Sequence, residues 1–134
     1  MITAVDTNVL LDVFVPSERH GRESRKWLAH AYDAGAVIVC DVVYAEMVPA
    51  FPDRPSLDGA LQQIGVRLSP INSLIAYEAG LRWKQYRRRG GPRGRIITDF
   101  LIGAHATAEA DVFLTRDRGF FSSYFPEIKR PDAR

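Results

Sequence analysis

The chain has 134 residues, which suits one domain with a core of ordinary size. Its 46% hydrophobic and 25% charged residues exclude a disordered chain, and its single cysteine excludes an internal disulfide. The net charge is only +2, but seven positive charges and no acid lie between residues 82 and 95. We find no signal peptide and no uncharged stretch that could span a bilayer, so we expect a cytoplasmic protein folded as one domain over 1–134.

Apolar periodicity and turn signals divide the chain into alternating strands and helices. In the first half of the chain, the pattern predicts a strand over 2–5, helices over 7–14 and 18–34, a strand over 36–40 and helices over 42–50 and 55–64. A strand over 66–68 and a helix from about 72 to 89 follow, and the chain then breaks at 90–92. The last predicted elements are a helix over 99–109, a strand over 112–114, a short helix within 117–124 and an edge strand near 128. This alternation favours an α/β fold, a three-layer sandwich whose central, mainly parallel sheet has four to five strands.

Four acidic residues fall near the ends of predicted strands or the starts of helices. They are Asp6, Glu46, Asp99 and Asp117. Ligands of open parallel sheets bind beyond the carboxyl ends of the strands, so all four side chains can face the same edge. Four carboxylates gathered there would repel one another without a cation, and hard oxygen ligands select Mg²⁺, with Mn²⁺ as a substitute.

Each aspartate can also be explained as a helix cap. Thr7 and Thr98 offer alternative caps for two of the helices. Glu46 fits the capping explanation least well, because it lies in an apolar helical stretch with no basic neighbour. If its face of the helix is buried, an unpaired Glu46 carboxylate destabilises the fold by on the order of several kcal/mol, because burying a charge is unfavourable. A metal ion is then its natural partner.

Other polar residues have simpler explanations. Asn8 and Thr115 could orient a ligand carboxylate, although such residues are more often turn or strand-end residues. We expect Asp12 to lie on a solvated helix face, and His105 to be a packing or surface residue.

Four strings of residues strongly resemble the PIN-domain family, and in particular the VapC toxins. The strings are Val5-Asp6-Thr7-Asn8-Val9-Leu10, Tyr44-Ala45-Glu46, residues 98–106 (TDFLIGAHA) and residues 114–120 (LTRDRGF). The resemblance implies a PIN-like sandwich and a Mg²⁺-dependent endoribonuclease, homodimeric and silenced by a cognate antitoxin. It also implies that the four acids are catalytic metal ligands, with Thr115 at the accompanying hydroxyl position.

On this view a metal-activated water cleaves RNA and leaves a 5′ phosphate and a 3′ hydroxyl. The basic segment would supply phosphate contacts, or it is simply a solvated helix end. Its candidate RNA-binding residues are Arg87, Arg88, Arg89, Arg93 and Arg95. Three alternatives remain open: a DNA-directed nuclease, a Mg²⁺-binding phospho-acceptor regulatory domain and a catalytically silent partner-binding module. A groove or dimer face on the long helices is a further expectation, based on Trp27, Leu57, Leu61, Trp83 and Tyr86.

Overall fold

The computed structural model describes residues 1–15, 19–91 and 96–129. Strands and helices alternate along the chain, with a short 3-10 turn after the third helix. The elements are β1 (Ile2–Val5), α1 (Thr7–Phe14), α2 (Gly21–Ala34), β2 (Ala36–Val39), α3 (Asp41–Met47), the 3-10 turn (Val48–Ala50), α4 (Arg54–Gln63), β3 (Val66–Leu68), α5 (Ser73–Arg88), α6 (Ile97–Glu109), β4 (Val112–Leu114) and α7 (Arg118–Tyr124).

The described strands form one sheet in the order β3-β2-β1-β4, and every neighbouring pair is parallel. Parallel strands require crossover connections, and the helices between the strands supply them. The carboxyl ends of β1 and β4 are therefore adjacent, and the backbone N–H of Asp6 donates to the carbonyl of Leu114 over 2.9 Å. The predicted parallel α/β sandwich is confirmed.

An aromatic cluster fills the space between α6, β4 and α7. Phe100, Phe113, Phe121 and Phe125 are almost fully buried, and their rings meet at interplanar angles of 42°, 53° and 83°. Gly103 lets α6 approach this cluster, since a Cβ at that position would lie 2.4 Å from the ring of Phe125. The small residues of α6 thus serve close packing, as their composition predicts.

Several element boundaries differ from the predictions. The expected edge strand is reduced to a single parallel bridge between Val112 and Lys129. The predicted helix over 42–50 ends at Met47 and continues as the 3-10 turn, which contains a proline. The helix over 99–109 begins two residues earlier, at Ile97. The predicted start at Glu18, the stop at Pro16 and the break at Pro92 lie outside the described residues.

In the described parts of the chain, no helix has the length and apolar character that crossing a membrane requires.

Candidate metal centre

Asp6 lies at the carboxyl end of β1 and is 7% exposed. It is the N-cap of α1, and its carboxylate accepts the backbone N–H of Thr7 at 2.8 Å. The same carboxylate accepts the hydroxyl of Thr115 at 2.7 Å and the amide of Asn8 at 3.4 Å. All three of these donors are neutral, so they orient the carboxylate without cancelling its charge.

The surroundings of Asp6 disfavour its charged form. Burial is the largest cause and raises the pKa of Asp6 from its ordinary 3.8 to about 6. Hydrogen bonds from Thr115 and Thr7 oppose this increase, whereas the negative charges of Glu46 and Asp117 add to it. The fold therefore holds Glu46 and Asp117 close enough for their charges to act on Asp6.

Glu46 does not occupy the buried position that the sequence suggested. The helix α3 buries Val43 and Met47, which are four residues apart, and Glu46 lies outside this stripe and is exposed. The argument from the cost of burial was therefore wrong. Glu46 is nevertheless directed toward the sheet edge, because its carboxylate accepts the Thr7 hydroxyl at 2.7 Å.

Asp117 follows β4 and is the N-cap of α7. Its backbone N–H donates to the Thr115 hydroxyl at 2.9 Å, and that hydroxyl in turn donates to Asp6. Thr115 thus connects the loop after β4 to the acid after β1. Of the two possible caps of α1, Asp6 is the N-cap, and Thr7 instead connects Asp6 to Glu46.

Asp99 lies in the first turn of α6 and is half-buried. Its carboxylate accepts the backbone N–H of Ile96 at 3.3 Å, so it caps its own helix from the third position. Thr98 is not the cap, contrary to expectation. Asp99 is not among the groups that chiefly shift the pKa of Asp6, whereas Glu46 and Asp117 are.

Across residues 1–15, 19–91 and 96–129, no three histidine, cysteine or acidic side chains are already arranged as a metal-binding group. The donor set still fits a hard divalent cation. It consists of carboxylate and hydroxyl oxygens. Burial and the nearby negative charges destabilise the charged form of Asp6, and a cation would offset both effects. The assignment of Asp6, Glu46, Asp99 and Asp117 as metal ligands stays a prediction.

Asp12 is not on a solvated face, contrary to expectation. It is 5% exposed and accepts two hydrogen bonds from the Arg116 guanidinium, at 2.8 and 3.1 Å, and one from the Ser24 hydroxyl at 2.7 Å. The backbone N–H of Arg116 also donates to Asn8 at 3.3 Å. This ion pair joins α1 and α2 to the loop that carries Thr115 and Asp117. Sequence reasoning missed it because the adjacency of β1 and β4 is a property of the strand order.

Other sequence expectations have mixed outcomes. His105 is a packing residue, 2% exposed and within 2.9 Å of the Ser69 hydroxyl. Leu57, Leu61 and Tyr86 are core residues, although Leu57 and Leu61 also line cavities at the surface. Trp27 is half-buried and lines a cavity that is described below.

The basic segment does not act as one unit. Arg82 is engaged by Glu78 and Glu127, and its guanidinium lies over the ring of Phe125. Arg87 stacks over Trp83, with 5.1 Å between the guanidinium carbon and the ring centroid. Arg87 and Arg88 end α5, and Arg89 is its C-cap, where positive charge favours the helix dipole. Arg93 and Arg95 lie outside the described residues.

The parallel sheet with acids gathered beyond β1 and β4 defines an α/β protein with a candidate metal site at the carboxyl edge of the sheet. The PIN-domain family model matches residues 3–125. The chain therefore belongs to the PIN-domain family. No curated protein matches the sequence significantly.

Solved structures with the same fold come from bacterial VapBC and Fit complexes. VapBC2 from Rickettsia felis, bound to a DNA fragment from its promoter, is similar with a TM-score of 0.74 at 17% identity over 100% of both chains. VapBC-1 from nontypeable Haemophilus influenzae gives 0.71 at 19% identity over 98% of both chains. FitAcB from Neisseria gonorrhoeae gives 0.65 at 19% identity, over 98% of this chain and 97% of the other. At these identities the likeness establishes the fold.

Proposed function

We propose that the protein is a Mg²⁺-dependent endoribonuclease and the toxin of a toxin–antitoxin pair. The observation that carries the proposal is the buried Asp6 carboxylate, with Glu46 and Asp117 close enough to raise its pKa and with neutral hydrogen-bond donors around it. A carboxyl group in such surroundings favours a divalent cation as its partner. Mn²⁺ would substitute for Mg²⁺, because both accept oxygen ligands.

Asp6, Glu46 and Asp117 would hold the cation, and Asp99 would approach it from the first turn of α6. When bound, the metal would activate water for attack on a phosphodiester and stabilise the charge that develops on the phosphate. Thr115 and Asn8 orient the Asp6 carboxylate, and Thr7 orients Glu46. With water as the nucleophile and the 3′ oxygen as the leaving group, the products would carry a 5′ phosphate and a 3′ hydroxyl, and the RNA 2′-hydroxyl would not take part.

The test is an end analysis of the products that the purified protein releases from structured RNA in Mg²⁺. We expect 5′-phosphate and 3′-hydroxyl ends and no cleavage with a chelator present. Cyclic phosphate ends, or unchanged cleavage in chelator, would contradict the proposal. Single-stranded and duplex DNA are assayed in parallel, and faster cleavage of either would favour the DNA-directed alternative. Mass gain from a small phosphodonor would instead favour a phospho-acceptor domain.

The partner in this proposal is a cognate antitoxin, and the support is that structures of this fold include VapBC complexes. Residues 1–134 would act as a single PIN domain and as a homodimer in the cytoplasm. Co-expression tests the partner: growth arrest on induction of the chain should be relieved by a cognate antitoxin and by Asp99→Ala. Toxicity that persists with Asp99→Ala would contradict the assignment of toxicity to the acid site.

A further inference from the structure

A cavity of about 300 Å³ opens beside the acid cluster, between α2 and the segment from β4 to α7. This volume is at the lower end of the range for ligand pockets, about 300–1,000 Å³. Thr115 connects the cavity to the candidate metal site, because it lines the cavity and its hydroxyl donates to Asp6. A group bound in the cavity would therefore lie one side chain away from the candidate metal site.

The cavity combines an aromatic ring with positive charge. Trp27 of α2 is half-buried, and its indole N–H donates to Glu23 at 3.3 Å, which fixes the direction of the ring. The Arg118 guanidinium lies over this ring, 5.3 Å from its centroid, and Arg118 is exposed. Arg116 lines the same cavity and is held by Asp12.

We propose that this cavity binds an unstacked RNA base next to the phosphate that is cleaved, with Trp27 as the stacking surface. Proteins that recognise single-stranded RNA stack splayed bases on aromatic rings and on arginine planes. We expect the exposed Arg118 side chain to exchange its contact with Trp27 for one with the base or its phosphate. The placement next to the cleaved phosphate rests on the proposed function, whereas base binding itself does not.

The test measures binding without cleavage, by titrating Asp6→Asn protein in chelator with a short single-stranded RNA and with an abasic ribose-phosphate oligomer of equal length. Stacking on an aromatic ring strengthens binding by roughly 5- to 150-fold per base. We therefore expect Trp27→Ala to weaken RNA binding by about tenfold and to leave binding of the abasic oligomer unchanged. Trp27→Phe keeps an aromatic face and should retain most of the affinity.

Tyr32 is the matched control, since it is an exposed aromatic residue of the same helix and does not line the cavity. Equal losses from Tyr32→Ala and Trp27→Ala would overturn the inference, as would an equal loss for the abasic oligomer. A Trp27→Ala protein that loses only antitoxin affinity would also overturn it. If the protein binds RNA bases but cleaves no RNA, only the proposed function is refuted. If it cleaves RNA but Trp27→Ala does not change RNA binding, only this inference is refuted.

Discussion

The protonation of Asp6 makes the stability of the metal-free protein depend on pH. Its pKa is about 6 in the folded protein against an ordinary 3.8, so between these values the folded state binds a proton that the unfolded state releases. The stability that protonated Asp6 contributes to the folded state is fully present below about pH 3.8 and is lost as the pH rises through about 6. The difference between about 6 and 3.8 corresponds to about 3 kcal/mol at most.

We therefore expect Asp6→Asn to be more stable than the wild type at pH 7 in chelator, and to lose less stability between pH 4 and pH 7. Urea unfolding at both pH values measures this difference. Asp33→Asn, which changes an exposed aspartate of α2, serves as the control and should behave as the wild type. Identical pH slopes for wild type and Asp6→Asn would contradict the account of the buried carboxyl group.

The ion pair between Arg116 and Asp12 should stabilise the fold far more than an exposed pair does. Arg116→Ala leaves the Asp12 carboxylate buried without its cation, and we expect it to lower the free energy of unfolding by about 1–2 kcal/mol, because the Arg116 side chain is 40% exposed and Ser24 still donates to Asp12. Arg54 pairs with Asp58 on the surface, so Arg54→Ala should change stability much less. Chemical denaturation of the two variants compares them, and equal losses would contradict this prediction.

Sequence reasoning at the scale of single residues was partly right. The positions of Asp6 and Asp117 follow from strand ends, which apolar runs and turn signals predict well. Glu46 and Asp12 show where such reasoning fails, because helical periodicity predicts which face is apolar but not which neighbour packs against it. The exposure of Glu46 and the burial of Asp12 both depend on tertiary packing.

Among the helices, α6 and α5 offer opposite tests of glycine packing. Gly103→Ala would place a methyl group against the Phe125 ring, and overpacking of about 1–3 kcal/mol should exceed the gain in helix propensity, about 1 kcal/mol. At Gly80 of α5 an added Cβ would have no described neighbour within 4 Å, so Gly80→Ala should stabilise by about 0.5–1 kcal/mol. Thermal unfolding measures both changes. Stabilisation by Gly103→Ala would contradict the packing of α6 against the aromatic cluster.

Element types were predictable because glycine, proline and polar caps separate the apolar runs. The start of α6 was misplaced because Asp99 caps the helix from inside its first turn, and the sequence presented Thr98 as an equally good cap. The predicted edge strand near residue 128 is only a single bridge at Lys129. The sequence could not show this, because an isolated bridge and a short strand have no difference in periodic pattern.

For the whole molecule, the described surface of α5 provides a candidate dimer face. Leu74, Tyr77 and Leu81 are 80%, 70% and 39% exposed and recur at helical spacing on one side. If the proposed homodimer forms through this face, Tyr77→Glu should shift the protein from dimer to monomer in sedimentation velocity. Leu68→Glu, at an exposed apolar position of the edge strand β3, should leave the dimer intact. A dimer that resists Tyr77→Glu and dissociates with Leu68→Glu would place the interface at the sheet edge instead.

At this scale the sequence predicted a parallel α/β sandwich but not the order of its strands. The order determines that β1 and β4 are neighbours, and so determines which side chains converge on Asp6. Local patterns carry no information about that adjacency, which comes from the crossover connections and the packing of the helices.

The central claim is that the carboxylate of Asp6 holds the catalytic cation. The most direct test is the single-turnover rate of RNA cleavage in Mg²⁺ by wild type, Asp6→Asn and the exposed control Asp33→Asn. We predict that Asp6→Asn lowers the rate by about 100-fold or more while Asp33→Asn retains the wild-type rate, since loss of one preorganised electrostatic group costs about 10²–10³ in rate. An Asp6→Asn protein that remains folded and cleaves RNA at the wild-type rate would contradict the account.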